Sequence, residues 1–310
     1  MSETVLDSAP KVLSQRRLLY WSVRRELWEH RAVYVAPAVI AVVALIGTGL
    51  SALWLPHVLH RLDASGATFT SDLMTPYAFI AFSVLMTGTI VALFYASAAL
   101  HVERRDRSLL FWKSLPVSDR TAVLAKAAVP TLVMPVVILG LVVAAQVVLL
   151  LWSSLIVAAN GLSPTLLWNH IDLTVMWVVL PYGLVVNSLW QAPLYAWILL
   201  VSAWARRVPI LWALAPFVIL MMLEATIGAM AKAAGAGART SPIADFVGNR
   251  LLGGFAEAFS VDGRASEAID RVGQLNPIRT FTSPDLWGGL VAATLLLAAA
   301  IWLRRRREPL

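Results

Sequence analysis

The sequence predicts an all-α integral membrane protein with six transmembrane helices and both termini cytoplasmic. Three observations carry this. Of 310 residues, 59% are apolar and 14% charged, against roughly half and a quarter in water-soluble domains. Six long segments are nearly free of charge, each about as long as the ~20 residues that cross a bilayer or longer. Lys and Arg, finally, fall unevenly between the segments that join them, as the positive-inside rule requires. The chain has no cysteine, which excludes disulfides, thiolate metal sites and thiol nucleophiles.

The first 31 residues carry Lys11, Arg16, Arg17, Arg24, Arg25 and Arg31, too many charges over too long a stretch for a cleaved signal. Within them Val12, Leu13, Leu19, Tyr20, Val23 and Leu27 share a helical arc opposite Arg17, Arg24, Arg25 and Glu29, with Arg16 and Arg31 intruding. This pattern predicts an amphipathic helix on the inner membrane surface. The remainder, residues 32–310, is a single six-span domain. Its spans are 32–56, 73–100, 127–159, 173–205, 208–230 and 286–303. Pro181 and Pro193 in the fourth each remove a backbone donor, so a bent or partly broken helix is expected there. With the N-terminus inside, 18 of the 25 Lys/Arg lie on the inner side and 7 outside, six of those in the long segment 231–285. Trp54, Trp152, Trp168, Trp204, Trp212, Trp287 and Trp302 fall at or near the span ends, as an aromatic belt requires. The net charge of +7 therefore reads as topology and calls for no nucleic acid.

Residues 101–126 form the inner loop between spans two and three. The loop joins a charge cluster, Glu103, Arg104, Arg105, Asp106 and Arg107, to an apolar knot of Leu109, Leu110, Phe111, Trp112 and Leu115, and breaks at Pro116. Ser118 and Asp119 are candidate N-caps of the helix that enters span three. Exposed aromatics beside arginine suit a protein-docking knob, and the same composition suits a helix end in the headgroup layer. Glu224 is the one formal charge well inside a span. It is a candidate for a water-filled path or a proton site, or else it reaches water at the outer end. Gln146, Asn187 and Gln191 are candidate pathway residues or helix-to-helix hydrogen-bond formers. In the outer segment 231–285, Val247, Leu251, Phe255 and Phe259 recur every four residues, predicting a helix that packs on the outer ends of the spans, dips into the interface or serves as a lid.

No P-loop, HExxH or GxSxG motif occurs, so the chain carries no recognisable ATPase, zinc-protease or serine-hydrolase machinery. His57 and His60 sit three apart without an acid or third histidine at suitable spacing, which leaves no expected metal site.

The order of these parts, together with the run from Asp106 to Lys126 and its Leu115, Pro116, Val117, Ser118 turn followed by Lys126, resembles the permease subunit of the type-two ABC exporter superfamily. The resemblance implies a non-enzymatic chain that forms the export pathway with a second permease copy, identical or closely related. Two copies of a separate ATPase, which bind the ATP and Mg, would lie beneath, and this chain would hold no cofactor of its own. It also implies that the inner loop contains a coupling helix, with Arg105, Asp106, Arg107, Phe111, Trp112, Lys113 and Leu115 as coupling residues, in a bacterial cytoplasmic membrane. Two other readings stay open. One is a proton-driven secondary transporter using Glu224; the other is an intramembrane enzyme using His57, His60 and Asp63 or Glu224. A largely apolar set of spans favours an amphiphile over a polyanion as cargo.

Overall fold

The computed structural model describes residues 14–59, 70–106, 118–171, 173–233, 242–258, 260–261, 264–265 and 277–306. Six helices in it are long and apolar enough to cross a membrane, covering Ala32–Leu59, Leu73–Arg105, Asp119–Ala159, Trp177–Trp204, Pro209–Ala233 and Pro284–Arg306. The protein is thus an all-helical, multi-pass membrane protein, with a two-residue antiparallel pairing of Ser260–Val261 with Arg264–Ala265 as the strand structure among the described residues. Each span agrees with an apolar segment of the sequence. The third differs most, beginning eight residues earlier than its uncharged stretch and so taking Lys126 into its first turns.

A helix α1, Gln15–Glu29, precedes the first span, α2, Ala32–Ser51, which ends in a tighter turn at Ala52–Trp54. The second span is α3, Thr70–Ala99, continued by α4, His101–Arg105. The third is built from α5, Asp119–Ala128, a π-turn at Val129–Val133 and α6, Met134–Ala159. A short α7, Pro164–His170, leads to the fourth span, α8, Leu173–Trp204. The fifth span is α9, Pro209–Ala233; then come α10, Pro242–Ala258, a short α11, Pro277–Thr282, and the sixth span, α12, Pro284–Arg306.

Proline acts in a place the sequence did not single out. α8 is one unbroken helix through Pro181 and Pro193, because each ring removes a single donor and a helix packed along its length tolerates that loss. The helical ladder changes instead in the third span, where Pro130 sits in the π-turn. Such a turn widens the ladder by one residue and leaves carbonyls to be met by side chains. Thr131 supplies one of these, its carbonyl accepting from Ser188 Oγ of α8 at 2.9 Å.

α8 is the axis of the bundle, packing most extensively on α12, then on α10 and α3. Buried side chains make up 61% of its most apolar stretch but only 6% of that of α9. The core near α1 is rich in alanine, with Ala92, Ala96 and Ala99 of α3 against Ala203, Ala205 and Ala300. Small side chains let helix backbones approach where lipid supplies no hydrophobic drive to associate. A second core cluster, nearer the turn after α2, joins Ala41 and Ala44 to Tyr77, Ile80, Val142 and Leu149.

Candidate functional site

The feature that organises one end of the bundle is a buried ionic cluster drawn from four separate parts of the chain. α1 contributes Glu26 and Arg25, α4 contributes Glu103, α5 contributes Asp119 and Lys126, and α12 contributes Arg304. Glu26 and Lys126 are each 1% exposed. The Lys126 ammonium donates to Glu26 Oε1 at 2.8 Å and lies 3.1 Å from Glu103 Oε1. Arg304 takes the other Glu103 oxygen at 2.6 Å and Asp119 at 3.1 Å. Arg25 bridges Glu26 at 3.0 Å, Glu103 at 3.3 Å and the exposed Glu29 at 3.3 Å. The Tyr95 hydroxyl donates to Glu26 Oε2 at 2.9 Å, and His30 Nε2 lies 3.7 Å from the same oxygen.

Three cations thus meet three buried or half-buried carboxylates, the balance that makes burial of charge tolerable. Burial itself works against the ionised form of Glu26. The Lys126 ammonium, by charge and hydrogen bond, outweighs it with help from Tyr95 and Arg25, and the carboxyl is held below its ordinary value of 4.5. The interaction also sets which edge of α1 meets the bundle. Its polar edge of Ser22, Arg25 and Glu26 faces α5, while Tyr20, Trp21 and Trp28 are exposed. Arg24 stacks over both indoles, at 5.1 and 4.9 Å from the ring centroids. Tyr20, on the apolar arc of the sequence pattern, is turned outward together with Trp21 and Trp28; a buried ion pair fixes which edge of the helix meets α5, and tryptophan with arginine on the outward face suits a headgroup layer.

The same cluster clamps the two stems of the loop between the second and third spans. On the entering side, the Ser202 hydroxyl of α8 accepts from the backbone N–H groups of Leu100 and His101 at 3.1 and 3.0 Å. Arg104 donates to the carbonyls of Ala203 and Ala205 at 2.7 and 3.4 Å, placing a cation at the negative end of α8. His101 Nδ1 lies 3.1 Å from the Ala205 carbonyl. On the returning side, Ser118 caps α5, its hydroxyl accepting from Thr121 N–H at 3.2 Å as the sequence predicts. Asp119 in the next position is held by Arg304.

Of the sequence-derived coupling residues, Arg105 and Asp106 pair with each other at 3.1 Å on the surface. Arg107, Phe111, Trp112, Lys113 and Leu115 lie outside the described residues, as do His60 and Asp63 of the enzyme reading. Of the candidate pathway residues, Asn187 and Gln191 come together beside α10, and Gln146 lies elsewhere in the bundle. Gln146 is buried between the second and third spans, donating to the Tyr77 carbonyl at 3.3 Å. Gln191 donates to the Leu251 carbonyl of α10 at 2.6 Å and accepts from Tyr195 at 2.7 Å. Asn187 packs on Gly254, where an added Cβ would lie 2.7 Å from its Oδ1 and 2.8 Å from its Cα. With Thr89 and Ser188, Asn187 and Gln191 border a cavity of about 10 Å3, room for no more than about one water. Glu224 is half-buried on α9.

α10 therefore sits deeper than an outer cap. Trp190 donates its indole N–H to the Asn249 carbonyl at 2.8 Å, and Arg250 stacks over the Trp190 ring at 4.7 Å while donating to the Asp285 carbonyl at 2.9 Å. Positions 187–191 are the middle of α8, so α10 reaches mid-span.

Sequence reasoning passed over Glu26 and gave Glu103, Asp119 and Arg304 no partner. A signal was present: Lys126 is flanked by alanines in an apolar run, and a lone cation with small neighbours at a span end calls for an acid elsewhere. Comparison with protein-family models, curated proteins and solved structures finds no match to this chain.

Proposed function

We propose that this chain is the transmembrane subunit of an ATP-driven exporter of the type-two ABC kind, pairing with a second permease copy and coupled to a separate ATPase through the loop between spans two and three. The observation that supports it is the clamping of both loop stems. Residues 107–117 connect two stems tied by Glu103, Asp119 and Arg304 into one ionic framework, and Ser202 and Arg104 tie the entering stem to the end of α8. A force applied to that loop reaches the second, third, fourth and sixth spans together, which is what a coupling element between a motor and a two-state membrane domain requires. On this reading the ionic cluster lies at the cytoplasmic end, consistent with the excess of Lys and Arg in the segments gathered there, and a bacterial inner membrane is the setting.

The test is co-purification with an ATPase encoded beside the chain, followed by measurement of its activity in reconstituted vesicles. Phe111→Ala and Trp112→Ala are expected to abolish stimulation of the ATPase by the permease while leaving the permease folded. Transport sustained without any ATPase, or unchanged stimulation in both variants, overturns the reading. Glu224→Gln separates the proton-driven alternative: it leaves ATP-driven transport intact and abolishes a proton-driven one.

A further inference from the structure

A cavity of about 460 Å3 lies between the second, fourth, fifth and sixth spans and α10, walled by Phe94, Trp197, Phe217, Phe246 and Leu296. That volume falls in the range of small-molecule sites, about 300–1,000 Å3. No polar atom reaches its surface. The Trp197 indole N–H is turned away to the Ala213 carbonyl at 3.1 Å, and the Arg250 guanidinium is turned to Trp190 and the Asp285 carbonyl. Water finds no partner in such a space, whereas an apolar guest recovers the missing dispersion contacts.

The floor of the cavity is formed by Ile198 and Ala213, 2% and 1% exposed, and its mouth by Ile90, Phe94 and Leu214, all exposed. Those mouth residues belong to the second and fifth spans, so the medium outside is hydrocarbon. The linker between α9 and α10, residues 234–241, reads AGAGARTS and has no apolar side chain larger than alanine to fill the space.

We propose that one acyl chain of a bilayer phospholipid resides in this cavity, bridging the loosely packed fifth span to α10 and the rest of the bundle. The proposal is independent of the exporter reading and is tested without an ATPase. The full chain is reconstituted into phosphatidylethanolamine and phosphatidylglycerol vesicles containing a trace of phospholipid with a photoactivatable diazirine in mid-acyl chain, and the labelled peptides are mapped by mass spectrometry. Label is expected to concentrate on residues 90–94, 193–198 and 210–217. Ala292→Phe, which projects a ring from the cavity wall, is expected to lower it by about tenfold, while Ala298→Phe, exposed on the same helix, leaves it unchanged. Should Ala292→Phe fail to fold, the wild-type map alone decides. Label spread evenly over lipid-facing side chains such as Val39 and Val43 of α2 overturns the proposal. So does disulfide-linked dimer formation by Leu214→Cys, the sole cysteine in that variant, since it shows a second copy covering the mouth.

Discussion

The two ends of the packing scale in this protein sit on neighbouring spans. Around Lys126, four segments are joined by short ion pairs and hydrogen bonds, and the side chains that make them are withdrawn from solvent. The fifth span, by contrast, shows Leu211, Val218, Ile219, Met222, Leu223 and Ile227 to the surroundings and touches the bundle chiefly through α8, α10 and α3. The lesson is that apolarity does not locate the core of a membrane protein. The rigid region is the more heavily charged of the two and is where polar groups have no alternative to each other, and the loose one is where lipid is as good a neighbour as protein.

The comparison is broken most directly at its rigid side. Lys126→Met leaves Glu26 and Glu103 buried beside each other with one cation fewer, a loss of about 3–5 kcal/mol by the usual cost of orphaning a buried charge. Thermal unfolding in lipid nanodiscs reads it, and adding Glu26→Gln to the same variant is expected to recover part of the loss. A smaller effect follows from Ser202→Ala, which leaves the N–H groups of Leu100 and His101 without their shared acceptor. A loss of about 1–3 kcal/mol is expected, with hydrogen exchange accelerated at Leu100 and His101 first.

Acid titrates the same framework. The carboxyl of Glu26 is held below 4.5 in the folded protein, so its contribution to stability is complete above that value and is lost as pH falls through the depressed folded value. The groups around it are Lys126, Arg25, Glu103, Tyr95 and His30. Glu26→Gln is expected to flatten the acid limb of the stability profile, and an unchanged limb would show that other carboxylates set it. The smallest effect belongs to the loose side. Leu223→Ala, at a position 55% exposed, is expected to shift stability by less than about 0.5 kcal/mol, whereas Leu199→Ala, wholly buried in α8, costs about 2–5 kcal/mol. Equal effects from the two leucines would erase the contrast.

How far the sequence carries this picture depends on the range of the forces involved. The spans are legible because bilayer thickness acts on each segment alone, and the Ser118 cap because its acceptor and donor are three residues apart. The helix over 242–258 is legible from its four-residue spacing, but its depth is not. That depth is set by Gly254 against Asn187 and by Trp190 and Gln191 reaching carbonyls some 60 residues away in the chain. The ionic cluster is less legible still. Glu26 meets Lys126 across 100 residues and Glu103 meets Arg304 across 201, and a helical wheel of α1 cannot say which of its charges another helix will claim. A continuous α8 with the irregular turn displaced to Pro130 has the same origin, since neighbours decide which broken ladder is tolerated.

That long separation has a consequence for how the protein is made. Segments enter a membrane in chain order, so Glu26, Glu103 and Lys126 are all in place while Arg304 is still to be synthesised. Until the sixth span arrives, the nascent bundle holds Glu103 and Asp119 without the guanidinium that joins them. Closure of the cluster therefore waits on the sixth span: a chain truncated within it is expected to insert its first five spans and still present an open, protease-susceptible cluster, which Arg304 seals once the sixth span is in place.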